Sequence, residues 1–224
     1  MAAYRRYRRG IWLGVILTLL LLAAIGFGLR RYLPRKYYSA AQLGIAEIHS
    51  TADADGDGVE DYADMVQGAR DYIATDPHYG SKYYAGGYPD DGLGVCTDVI
   101  WQAFRAAGYE LKDLVDADIT ANRDAYPHIE VQDSNIDFRR VTTLNAFFSR
   151  YAQELPVSFG EPADWQAGDI VIFGDCDHIA ICSDKRDRRG IPWIIHHGNP
   201  TDDAVERQDM YKKKVTHHYR WVQS

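Results

Sequence analysis

Cys96 and His178 are the residue types, in the order, of a nucleophile and its general base. Cys96 lies in Gly92-Leu93-Gly94-Val95-Cys96-Thr97-Asp98, directly ahead of the apolar-periodic run Val99, Ile100, Ala103, Phe104 and Ala107. That pattern puts the thiol on the first turn of a helix after a glycine-rich entry. Unpaired N–H groups and the positive end of the helix dipole favour a thiolate there. Downstream, Asp169-Ile170-Val171-Ile172-Phe173 and His178-Ile179-Ala180-Ile181-Cys182 read as strands, so His178 opens a strand. A helix-start cysteine followed by a strand-borne histidine is the order of nucleophile and general base in a cysteine hydrolase. A lone cysteine is more often a small core residue. The glycine-flanked helix start and the downstream histidine favour the catalytic reading here.

A third residue should orient the base. Lys185-Arg186-Asp187-Arg188-Arg189-Gly190 is a polar turn, and Trp193-Ile194-Ile195-His196 is the next strand. Antiparallel pairing about Asp187 sets His178 directly opposite His196 on one face, so that one imidazole orients the other. A one-residue slip would offer His197 and turn the faces over. His196 is preferred because Ile179 and Ile195 then share the opposite face as core. His49, His78, His128, His217 and His218 read as surface or hydrogen-bonded histidines. Zinc at Cys176, His178 and Cys182 is disfavoured, because C-x-H-x3-C is no usual zinc spacing and a strand spreads these ligands too far. The same spread argues against a Cys176–Cys182 disulfide, and three cysteines make no disulfide framework.

The elements that must hold these residues are legible in outline. A helix is expected from about Tyr62 to Ala74, with Met65, Val66, Ala69, Tyr72 and Ile73 on one stripe, ended by Asp76-Pro77. Tyr79 to Gly94 reads as loop, and the Cys96 helix stops near Gly108. Leu111, Leu114 and Val115 suggest a short helix, and Ile119 to Tyr126 another. Asn135 to Arg140 reads as loop, and Val141 to Leu155 as an amphipathic helix with Leu144, Phe147, Phe148 and Tyr151 inward. Helices first and strands after make the fold class α+β.

Composition bounds the setting. Residues 10–29, GIWLGVILTLLLLAAIGFGL, carry no charge and are long enough to span a bilayer. They are expected to be an uncleaved transmembrane anchor behind a basic cytoplasmic tail (1–9). A stalk (30–50), an acidic loop (51–64) and the main domain (62–224) follow, with the C-terminal part extracellular. Arg5, Arg6, Arg8 and Arg9 face Arg30, Arg31, Arg35 and Lys36 across the span, so charge alone sets orientation only weakly. A cleaved signal peptide is the rival, but its apolar core would be shorter, and no A-x-A site precedes the arginine pair. Of 25 basic and 32 acidic residues, the first 36 positions hold 8 basic and no acidic ones, leaving a body with 17 basic against 32 acidic. Such a body argues against nucleic acid and against lying flat on anionic lipid.

Several motifs together are distinctive. They are Tyr84-Ala85-Gly86-Gly87 with Pro89, Gly94-Val95-Cys96-Thr97-Asp98-Val99, and Asp133-x-Asn135-Ile136-Asp137-x-Arg139-Arg140-Val141. Trp165-x-x-Gly168-Asp169-Ile170-Val171, His178-Ile179-x-Ile181-x-Ser183-Asp184 and His218-Tyr219-Arg220 follow in order. Over about residues 62–221 the chain resembles the bacterial domain-of-unknown-function family 1287. That family is similar to the NlpC-type cell-wall peptidases of the papain-like superfamily. The resemblance implies a papain-like domain with helices packed on an antiparallel sheet. It implies Cys96 as nucleophile, His178 as base and His196 as orienting group, with Tyr84 or Tyr83 lining the site. The family usually has a histidine where Phe138 stands, and reads His-Asn-Ile-Gly where this chain has His196-His197-Gly198-Asn199. The third catalytic residue is therefore His196, His197 or Asn199.

The implied activity is amide hydrolysis of peptidoglycan stem peptides. A catalytically silent wall-binding module and a papain-like acyltransferase on lipids are the alternatives. Asp137, Arg139 and Arg140 are candidates to recognise charged peptide ends, with a structural ion pair equally favoured. Asp98 helps the helix but opposes a thiolate. Catalysis needs no cofactor.

Asp53-Ala54-Asp55-Gly56-Asp57-Gly58-Val59 matches D-x-D-x-D-G, an oxygen-rich loop suited to Ca²⁺. Asp53, Asp55, Asp57, the Val59 carbonyl and Asp64 are the expected ligands. Asp64 at the twelfth position is shorter than the usual Glu. The plain alternative is a solvated acidic linker.

Overall fold

The computed structural model describes residues 16, 18–21, 36–198 and 204–222. The chain divides into two units, Met1–Lys36 and Tyr37–Ser224. In the first, the described positions Ile16 and 18–21 are helical. The rest of the expected basic tail and anchor lies outside the described residues, as does Asn199. Among the described residues no helix is long and apolar enough to cross a membrane.

The second unit is a mixed α+β fold. Helices α1 (Ala40–Leu43), α2 (Asp61–Ala74), α3 (Cys96–Ala106), α4 (Leu111–Ala121) and α5 (Val141–Tyr151) precede most of the strands. Strands β1 (His78–Tyr79) and β2 (Leu93–Gly94) form a short parallel pair. The strands β3 (Ala152–Glu154), β4 (Ile170–Phe173), β5 (His178–Arg186), β6 (Pro192–His197), β7 (Ala204–Arg207) and β8 (Val215–Trp221) build one antiparallel sheet in the order β3-β8-β4-β5-β6-β7. Its β4 run Ile-Val-Ile-Phe is buried on both faces, as a continuous apolar strand demands. Ile170, Ile172, Ile179, Ile181 and Ile195 point into the core shared with α2 and α3. Val171, Phe173, Ala180, Cys182 and Ile194 face a second cluster with Trp165, Met210 and Val215.

α2 and α3 cross closely because Gly68 has no side chain: a Cβ there would lie 2.3 Å from that of Ala106. The β1–β2 pair then carries the chain straight into α3, setting Tyr79 beside Gly94.

Several expectations change. The expected stalk is part of the folded unit from Tyr37 on: Tyr38 bridges to Arg186, and the Ile48 N–H donates to Gln166. The Leu111 helix runs on to Ala121, followed by a 3₁₀ turn at Arg123–Ala125. The expected loop at Asn135–Arg140 holds a buried 3₁₀ turn, Asp137–Arg139. The Val141 helix stops at Tyr151, where the chain turns into β3 against β8. In the hairpin, Ile181 pairs with Ile195, two residues beyond the expected register. The cause is a wider turn: the Asp187 N–H donates to the Ile191 carbonyl, and Asp187 Oδ1 accepts from the N–H groups of Arg189 and Ile191. An even shift leaves the faces unchanged. His178 is thus diagonal to His196 rather than directly opposite, on the same face.

Candidate active site

The thiol is held by backbone. Cys96 is the first residue of α3, after the extended Val95. Asp98, in the first turn, accepts from the Val95 N–H at 2.7 Å and from the Trp101 indole at 2.7 Å. Arg139 clamps the same carboxylate with two bonds, 2.7 and 2.8 Å, both side chains essentially inaccessible. Even so clamped, the Asp98 carboxylate raises the Cys96 thiol, second to burial among the groups that do so. Cys96 is 6% exposed. Burial pushes its thiol up to about 11, against the downward pull of the Ile179, Thr97 and Cys96 N–H groups. The helix start does not outweigh burial, so the lowered pKa expected of this position is not found in the resting site.

The Ile179 N–H belongs to the residue that follows His178, so α3 delivers the sulfur to the start of β5, but the alternation of the strand turns the expected base, His178, to the other face beside Phe173. His178 Nε2 lies 3.0 Å from His196 Nδ1, and His196 Nε2 lies 3.2 Å from Asp209 Oδ2. Burial, then His196 and Lys213, push His178 down to about 3. Hydrogen bonds from His196, Arg207 and Lys212 hold Asp209 well below the usual carboxylate range despite its burial. An ionised carboxylate only accepts. His196 therefore donates from Nε2 to Asp209. Where His196 Nδ1 accepts, His178 donates from Nε2 and its Nδ1 is left as a proton acceptor.

A second imidazole stands on the helix side of the sheet. His197 Nδ1 is 3.0 Å from the Tyr72 hydroxyl, and its ring meets that of Tyr79 edge-on at 5.3 Å. Both tyrosine hydroxyls have pKa values raised by burial, and the Cys96 sulfur raises them further. Gly94 makes room for this: a Cβ there would sit 2.0 Å from the Tyr72 oxygen.

The other sequence candidates fall into place around this centre. Tyr84 is buried, donates to Asp91 at 3.0 Å, and lies under the Arg139 guanidinium at 5.1 Å. Tyr83 is exposed and accepts from Asn135. Arg139 is committed to Asp98, and Asp137 pairs with Arg140 at 3.3 Å, so for these three the ion-pair geometry is the one found. Phe138 is core, its ring against Tyr88. The three cysteines are free thiols. His218, read as a surface or hydrogen-bonded histidine, is buried, stacked on Trp165 at 4.0 Å and bonded to Asp169. In the acidic loop, oxygens of Asp53, Asp55 and Asp57 lie within 4.8 Å of one another. Asp64, the expected fourth carboxylate, is not part of that group, although burial and then Asp57, Asp55 and Asp53 push its carboxyl up to about 6.

Sequence reasoning missed Asp209, Tyr72, Tyr79 and Lys213. Tyr72 carried one signal: a tyrosine on an inward helix stripe needs a buried partner for its hydroxyl. Asp209 carried none, because it follows β7, a strand that the sequence did not suggest.

Comparison with known proteins gives a family. The family described as "Domain of unknown function (DUF1287)" matches residues 66–221. "Uncharacterized protein YijF" of Escherichia coli (strain K12) is 36% identical over 167 residues, which span 70% of this chain and 80% of that protein. No solved structure matches the chain.

Proposed function

The chain belongs to the DUF1287 family, and we propose that it is a cysteine amidase or endopeptidase acting on peptidoglycan stem peptides, held outside the cell by an N-terminal membrane anchor. One observation carries the hydrolase reading. The Cys96 sulfur, at the start of α3, accepts from the Ile179 N–H at the head of the strand that His178 opens, while the His178 ring itself lies on the other face of the sheet beside Phe173. The peptidoglycan substrate rests on the resemblance to NlpC-type peptidases.

The chemistry follows from these groups. Hydrolysis requires that the Cys96 proton pass to an imidazole, His178 in this reading after its ring turns towards the sulfur, as sulfur attacks the amide carbonyl carbon. The N–H groups of the first turn of α3 stabilise the oxyanion. The C–N bond breaks and the amine leaves with the proton from His178. Water then gives a proton to His178, its oxygen attacks the thioester, and the C–S bond breaks to release a carboxylate and restore the thiol. In the resting site His196 and Asp209 hold the His178 ring. Because the resting thiol and imidazole are both neutral, this transfer accompanies attack rather than preceding it.

Digestion of purified wall fragments, read by mass analysis, tests the proposal. The expected result is a new amine and carboxylate pair with the wild type and none with Cys96→Ala. Unchanged fragments with the wild type, or equal cleavage by the variant, would overturn it. Burial of Cys96 favours one rival, a wall-binding module without catalysis. That rival predicts retention of wall fragments without cleavage.

The acidic loop suits a calcium ion held by Asp53, Asp55, Asp57, the Val59 carbonyl and Asp64, with a structural role away from the thiol. The convergence of three carboxylates within 4.8 Å supports it.

A further inference from the structure

The imidazole pair opens onto a cavity that the hydrolase reading leaves unused. It measures about 100 Å³ and is lined by Phe173, His178, Ile194, His196, Asp209 and Lys213, among others. One wall is apolar, from Phe173 and Ile194. The rim is cationic, although the body of the protein carries 17 basic against 32 acidic residues. Lys212-Lys213-Lys214 is held there by two contacts: the Gly174 N–H donates to the Lys214 carbonyl at 2.9 Å, and Lys212 reaches Asp209 at 3.0 Å. Lys213 makes no ion pair among the described residues, while its charge is felt by the His178 ring.

We propose that this cavity, on the face of the sheet away from Cys96, binds a small carboxylate ligand, with Lys213 supplying the counter-charge and Phe173 and Ile194 receiving the adjoining apolar group. The chemistry of the cavity is independent of Cys96. A carboxylate seated against Lys213 makes a charge-assisted contact that a carboxamide cannot. It also cancels a positive charge beside His178, which favours proton uptake by that ring when the ligand is bound.

The probes are N-acetyl-alanyl-alanine and its C-terminal amide, titrated into the full chain in detergent, with the His178 and His196 ring signals followed by NMR. The carboxylate form should shift these signals saturably, with the amide binding about tenfold more weakly, the scale of one hydrogen bond to a charged group. Lys213→Gln should weaken the carboxylate form about tenfold and leave the amide unchanged. Equal affinity for the two probes, binding of neither, or a preference that survives Lys213→Gln would overturn the inference. Cys96→Ala separates the two claims, because it must keep the carboxylate preference. A wild type that shows the preference but cleaves no wall fragment would overturn the hydrolase reading and support the carboxylate site.

Discussion

Two imidazole systems lie on opposite faces of the sheet, His178 and His196 beside Phe173, and His197 with Tyr72 and Tyr79 on the Cys96 side, and substitution distinguishes them. If His178 is the base, His178→Ala should lower the rate of amide hydrolysis about 10²- to 10⁴-fold, the usual scale of a lost general base. His197→Ala and Tyr72→Phe should then cost about tenfold or less. The reverse ranking would move the base to the helix side of the sheet. The resting charge state is testable without substrate. With the thiol pushed up to about 11, iodoacetamide labelling of Cys96 should climb steadily through pH 9 and 10. A plateau below pH 8 would instead reveal a resting thiolate–imidazolium pair. Stability should respond in the opposite pH range. His178 is pushed down to about 3 in the fold, against about 6.5 in an unfolded chain. Between those values the unfolded state binds a proton that the folded state refuses. Stability is therefore full above about pH 6.5 and falls as pH drops towards 3, by at most about 1.4 kcal/mol per pH unit. Denaturant midpoints at pH 7, 5 and 4 should fall in the wild type and flatten in His178→Asn.

At the scale of elements, the Asp98–Arg139 clamp joins the first turn of α3 to the turn before α5. It is a buried bidentate pair, and removing one partner leaves an uncompensated charge. Arg139→Ala should therefore cost about 3–5 kcal/mol of unfolding free energy, measured by denaturant titration. A loss under 1 kcal/mol would show that the clamp is solvent-screened. Much of this frame is legible from pattern. The inward stripe of α2, the glycine-flanked start of α3, the apolar β4 run and the face shared by His178 and His196 follow from periods of 3.6 and 2. What fails is the information that period does not carry. The hairpin register depends on Asp187 closing a wider turn, and the clamp depends on a contact between residues 41 positions apart. β8 reads as polar, with His217, His218 and Arg220 along it, yet it lies between β3 and β4. Its polarity is neutralised from outside the strand, since Arg220 makes two 2.7 Å bonds to Asp169 and His218 a third contact.

For the whole folded unit, the acidic loop is the joint between the segment that begins at Tyr37 and the helical layer. The Ala54 N–H donates to Asp61 at the start of α2, and Gly108, just past α3, lies so close that a Cβ there would be 2.9 Å from the Asp55 nitrogen. Asp53 already organises the loop by accepting from the N–H groups of Gly56, Asp57 and Gly58. A calcium ion bound here would stabilise every element tied to the joint, because it binds the folded state and not the unfolded one. Extracellular loops of this type bind at about 10⁻⁴ to 10⁻³ M. At 5 mM calcium the linkage is then about 1–2 kcal/mol, a rise of about 2–8 °C in Tm for a unit of this size. The shift should vanish with EGTA and in an Asp55→Ala, Asp57→Ala double variant, whose Tm without calcium should not fall, since removing two carboxylates relieves repulsion. A wild-type Tm unchanged at 5 mM calcium, or an equal shift in the double variant, would leave Asp53 as an organiser of backbone and the loop as an acidic joint without a metal.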